Sequence, residues 1–167
     1  MDIHAWERKH SYEEGSDWLM SLAFANITDI TIPQGNVTKI TETATSRVGA
    51  RGLMQIIPDT GREIAEALGE SFSEERLYDP EVSIRYGCYY LREQMDRFDQ
   101  NEAVTLAAYN AGPHRAELWI AEYGLNSKGH IRYIPFGETD RYVDRVLQAK
   151  ENYANLYEKE LAIDGED

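Results

Sequence analysis

The chain has 167 residues, enough for one domain with a proper core, and its 42% apolar and 11% aromatic content excludes a disordered polymer. Its formal net charge is −13, from 30 acids against 17 bases. That balance disfavours nucleic acid, anionic membrane surfaces and other polyanions as main partners.

Residues 1–15 read as a polar N-terminal extension. Ser16 or Asp17 would cap a helix running through Asn26, with Trp18, Leu19, Leu22, Ala23 and Phe24 as its apolar residues. The stretch from Ile27 to Thr45 is dense in Thr, Ile and Val, which are stiff at χ1 and favour strands. Pro33-Gln34-Gly35-Asn36 supplies turn chemistry in its middle, so a β-hairpin near residues 28–43 is expected. Gly49 and Gly52 precede an apolar run with one amide inside it, Gln55, and Pro58 then fits the first turn of a helix over 59–68, with Ile64, Ala65 and Leu68 on one face. Leu77-Tyr-Asp-Pro80 stops one element and starts another. The helix after it carries Ile84, Cys88, Leu91, Met95 and Phe98 at spacings of four and three, a stripe that faces a core. Asn101 or Glu102 opens the next helix, Asn110-Ala-Gly-Pro113 ends it, and 114–122 forms another with Leu118 and Trp119. A Gly-containing loop, 124–133, leads to a long last helix over about 138–161, striped by Tyr142, Val146, Ala149, Tyr153 and Leu156. Residues 158–167 form an acidic tail, and no internal repeat is present.

Cys88 is the single cysteine, so no internal disulfide and no cysteine metal site form; within its stripe it reads as a small buried hydrophobe. His4, His10, His114 and His130 lack ligand spacing, so neither a metal nor a cofactor is expected. No run approaches a membrane span. Met1-Asp2-Ile3-His4 lacks the basic start and apolar segment of a signal peptide. A protein that stays inside, is exported by another route or has had its leader removed would all fit.

Three separated stretches share small residues and glycine around one or two polar or aromatic groups: Gly49–Gln55, Ala107-Ala-Tyr-Asn-Ala-Gly-Pro113, and Ile134-Pro-Phe-Gly-Glu-Thr-Asp-Arg-Tyr-Val143. Together with Pro58, Thr60, Leu77-Tyr-Asp-Pro80 and Tyr90-Leu91, they resemble the soluble lytic transglycosylase family in order and spacing over about residues 44–153. The resemblance implies a single goose-lysozyme-like domain, mainly α in an α+β lysozyme-like class, with one small hairpin. It implies cleavage of the MurNAc–GlcNAc β-1,4 bond of peptidoglycan: one Glu protonates the leaving oxygen, and the MurNAc 6-hydroxyl attacks its own anomeric carbon to give a 1,6-anhydro product. Such an acid works best where burial favours its protonated form. The resemblance further implies substrate contacts from Ser46, near the N-acetyl group, and from Met54, Gln55, Tyr109, Asn110, Glu138 and Tyr142. Gln55 would offer its amide, Tyr109 a hydroxyl and a ring face; Asn110 would hold its turn, and Glu138 would anchor the last helix or touch substrate. Glycan strands are the implied partner, the periplasm or cell wall the implied location, and a monomer the expected state.

One feature departs from the family. Its Glu-Ser pair stands about eighteen residues before the Gln of Gly-Leu-Met-Gln, and counting back from Gln55 reaches Val37, which transfers no proton. Glu42-Thr43, thirteen residues before Gln55, would restore the acid across a shortened loop. Alternatively the family's first helix ends at Ile27-Thr28-Asp29, where Asp29 would substitute. Asp29 with Glu42 would then allow lysozyme-type hydrolysis through a positioned water. A non-catalytic glycan-binding or scaffolding protein, and a member whose helix-to-loop segment was replaced, also stay open. On composition alone Glu42 is an exposed strand residue, Asp29 a helix-end residue, Gln55 and Tyr109 core, and Glu138 a first-turn acid that suits the helix dipole.

Overall fold

In the computed structural model, residues 42–161 are described, with side chains through residue 152. The order is α1 (Pro58–Ala67), a 3-10 helix (Glu74–Tyr78), α2 (Pro80–Arg97), α3 (Glu102–Ala111), α4 (Pro113–Tyr123) and α5 (Gly137–Leu161). The mainly helical class expected from the sequence is what forms. Among the described residues, β structure is limited to isolated antiparallel bridges, Thr45 with Arg51, Arg51 with Ile56, and Leu125 with Ile131. The expected helix over 16–26 and nearly all of the expected hairpin, together with Asp29 and Val37, lie outside the described residues; Glu42 and Thr43 form a turn.

The helix starts follow from local chemistry. Pro58, Pro80 and Pro113 each occupy a first helical turn, where a missing N–H costs nothing. The Asp79 carboxylate accepts from the backbone N–H groups of Glu81 and Val82. The Asn101 Oδ1 accepts from Val104 N at 3.1 Å, and its Nδ2 donates to the Gly129 carbonyl at 2.8 Å, so one side chain caps α3 and pins the loop before α5.

The core is built around α3, whose Ala103, Val104, Thr105, Leu106, Ala107, Ala108 and Ala111 are all buried. A helix covered on nearly every side needs small residues, and α2, α4 and α5 all pack against this one. From α2 the expected stripe turns inward: Ile84, Cys88, Leu91 and Met95 are buried, and Phe98 packs on their edge. Full burial of Leu91 or Leu106 contributes about 2 kcal/mol each. Burial also pushes the Cys88 thiol up to about 12, so it stays protonated, as a small apolar group should. On α4, Ala116 and Trp119 face the core, whereas Leu118 is 52% exposed. Adjacent residues diverge by roughly 100° around a helix, so the two apolar side chains of α4 take different faces.

Candidate functional site

The stretch from Ala44 to Ile56 is a compact wall. Gly52 N donates to the Ala44 carbonyl at 2.9 Å, Ser46 N to Ala50 O at 2.8 Å, and Arg51 and Ile56 exchange bonds at 2.9 and 3.1 Å. Ser46 closes the tightest part of the turn, its Oγ accepting from Ala50 N at 3.0 Å. Gly52 (φ 72°) is forced twice over, because a Cβ there would also collide with the Leu77 carbonyl. Met54 is fully buried, its backbone N donating to the buried Ser83 Oγ at 3.0 Å and its side chain filling the space left by Gly87 on α2.

Gln55 is half-buried with a left-handed backbone, φ 50°. Its Nε2 donates to the carbonyls of Ala44 at 3.3 Å and Gly52 at 3.0 Å. Both partners are acceptors, so the orientation of the amide follows, and its two hydrogens are committed to the wall. What Gln55 has left to offer is its oxygen, an acceptor.

Tyr109, on the last turn of α3, donates its hydroxyl to the Met54 carbonyl at 2.7 Å. Its ring meets that of Tyr90 on α2 at 5.4 Å, inclined by 56°. Burial, then the charges of Glu93 and Glu63, push the Tyr90 hydroxyl up, so it stays a neutral donor. Tyr90 belongs to the Tyr90-Leu91 match and was not among the expected site residues. Asn110 follows on the exposed side, and its Oδ1 accepts from the buried Thr139 Oγ1 at 2.7 Å. That bond brings the first turn of α5, with the exposed Glu138, against the end of α3.

Ser46, Gln55, Tyr109, Asn110 and Glu138 thus stand on three adjoining segments: the wall, the end of α3 and the start of α5. Met54 and Tyr142 belong to the layer beneath, at 0% and 5% exposure. Glu42 is an exposed turn residue two positions before Ala44, the residue that Gln55 and Gly52 hold. Among the described residues no group of three His, Cys, Asp or Glu side chains is placed to hold a metal, and no helix is long and apolar enough to cross a membrane.

Comparison with known proteins points the same way. The family described as the transglycosylase SLT domain matches residues 39–131. The soluble lytic murein transglycosylase of Escherichia coli (strain K12) is 38% identical over 106 residues, 61% of this chain and 16% of that protein. The transglycosylase of enterobacteria phage PRD1 is 44% identical over 79 residues, 47% of this chain and 26% of that protein. Among solved structures, an inactive Glu-to-Gln mutant of the lytic transglycosylase Slt from Pseudomonas aeruginosa matches with a TM-score of 0.70 and 29% identity, over 93% of this chain and 24% of that one. A 70-kDa soluble lytic transglycosylase in complex with bulgecin A matches with a TM-score of 0.75 and 29% identity, over the same shares of 93% and 24%. The chain spans no more than 26% of the length of any of these four. With the family match covering more than half of its residues and the fold shared over 93%, the chain belongs to the transglycosylase SLT-domain family and carries its lysozyme-like fold.

Proposed function

We propose that the chain is a lytic transglycosylase domain that binds a peptidoglycan glycan strand along the 44–56 wall and cleaves its MurNAc–GlcNAc β-1,4 bond, with Glu42 as acid and base. The Glu42 proton goes to the glycosidic oxygen as the C1–O bond breaks. The 6-hydroxyl oxygen of the same MurNAc bonds to C1, and its proton returns to the carboxylate. The product is a 1,6-anhydro sugar, and no water is consumed. The observation that carries this reading is the bond from Gln55 Nε2 to the Ala44 carbonyl, which ties the segment bearing Glu42 to the wall beside Tyr109. A strand laid over that segment excludes water from the carboxyl, which favours its protonated form. A glutamate replaced by glutamine in the inactive Pseudomonas mutant supports a carboxyl acid in the family. Ser46, Gln55, Tyr109, Asn110 and Glu138 would line the strand, with Met54 and Tyr142 supporting them from below. The substrate places the chain in the periplasm or cell wall, working as a monomer.

A second reading is favoured by one observation: Glu42 is exposed, and Val37 stands at the family's spacing for the acid. On that reading the chain holds glycan without cutting it. Mass spectrometry of what purified protein releases from sacculi separates the readings. Anhydro-ended muropeptides support transglycosylation. Reducing ends indicate hydrolysis with Asp29 and Glu42. Binding to sacculi with nothing released supports the non-cleaving form.

A further inference from the structure

Where α3 ends, α4 begins and α5 begins, a guanidinium is held in place with its outer edge unused. Arg115 Nη1 donates to the Ala111 carbonyl at 2.9 Å, one residue from Asn110. Its Cζ lies 5.2 Å from the centre of the Phe136 ring, and Trp119 meets the same ring edge-on at 5.3 Å and 71°. Phe136 leads directly into the turn that carries Glu138 and Thr139, its carbonyl accepting from Asp140 N at 3.0 Å. Capping the end of α3 explains one N–H of Arg115. It does not explain why 46% of Phe136 is left in water, or why Arg115 has no carboxylate at ion-pair distance among the described residues of so acidic a chain. Arg51, Arg62, Arg76, Arg85 and Arg97 each have one, whereas Arg47, Arg92, Arg132 and Arg141, like Arg115, have none among the described residues. Beyond the Nη1 bond to Ala111, the N–H groups of Arg115 have no partner among the described residues, and a guanidinium fork is the group that takes a carboxylate. Glu138 and Asp140 share the neighbouring turn, so the local field is mixed, and a single carboxylate suits it better than a polyanion.

We propose that Arg115, braced on Phe136, is a specificity-determining residue at the α3–α5 end of the proposed glycan site that takes one carboxylate carried by the glycan strand. The inference rests on that site binding glycan. Two parts of a peptidoglycan strand supply such a group, the peptide substituents and, once these are cut away, the lactyl ether of MurNAc. Binding of purified chain in the cold is measured against three probes: strands with peptides, strands stripped by an amidase so that the lactyl carboxylate is free, and chitin oligosaccharides with no carboxylate. Arg115→Met is expected to weaken binding of one or both carboxylated probes by about fivefold, the scale of an exposed charge pair, and to leave the chitin probe unchanged. The probe that loses most identifies the source. Equal loss for all three, as a purely structural role would give, or no loss for any, overturns the inference while leaving the glycan site standing. Should the wild type bind none of the probes, the site itself fails. Should Arg115→Met not fold, wild-type salt dependence decides: binding of the carboxylated strands weakens with added salt and that of chitin does not, and salt-independence throughout overturns the inference.

Discussion

Gln55 holds a backbone conformation that costs a non-glycine residue about 1 kcal/mol, and the two bonds of its amide to Ala44 and Gly52 offset that cost. Strain held by local hydrogen bonds fixes where the remaining amide oxygen points. The residue beneath it shows how tightly the wall is set. A Cβ added at Gly87 would come within 2.5 Å of the Met54 Cε and 2.7 Å of its Cβ, and Met54 is fully enclosed. Gly87→Ala should therefore destabilise the protein by about 1–3 kcal/mol although Ala favours helices, because the wall must shift outward. Urea denaturation followed by circular dichroism measures it; an unchanged or raised midpoint would show that the wall yields freely. The contact at Gly87 joins residues 54 and 87, which no local pattern relates.

At the scale of elements, one carboxylate holds three of them. Glu70 follows α1 and accepts from Arg85 and Tyr86 on α2 and from Arg76 on the 3-10 helix. The hydrogen bond from Arg85, with those of Tyr86 and the charge of Arg76, brings its carboxyl down from 4.5 to about 2. A depressed acid stabilises the fold above its unfolded value and loses that contribution as pH falls through the folded one. The Glu70 contribution is thus present above about 4.5 and lost progressively toward about 2. Stability of the wild type should fall across that window, and Glu70→Gln should be less stable near neutrality with a flatter acid limb. A mutant whose acid limb matches the wild type's would contradict the network. Elements of this kind were legible where the signal is local. Pro58 and Pro80 marked helix starts, Asn101 or Glu102 the opening of α3, and the spacing of Ile84, Cys88, Leu91 and Met95 the buried face of α2, whereas Pro113, expected in the turn that ends α3, is the first residue of α4. The inward side of α4 was not legible, because it depends on α3 and not on α4's own residues.

Over the whole molecule, the candidate site residues, all but Ser46 from the three matched stretches, were named from sequence, and the fold brings Ser46, Gln55, Tyr109, Asn110 and Glu138 onto adjoining segments. Their bonding was not legible. Tyr109 to Met54 spans 55 positions and Thr139 to Asn110 spans 29, so neither pairing leaves a trace in local spacing. Nor was the outward-facing Arg115 on Phe136, whose meaning depends on three helix ends meeting. The central claim is that Glu42, two residues before the Ala44 that Gln55 holds, supplies the proton that breaks the glycan strand. Glu42→Gln keeps the size and polarity of the side chain and removes its proton transfer. Release of anhydro-ended muropeptides from sacculi by the wild type and this variant, quantified by mass spectrometry, tests the claim most directly. The account predicts release by the wild type and a loss of at least about a hundredfold in the variant, the scale of a general acid. Equal release by the two proteins would contradict it.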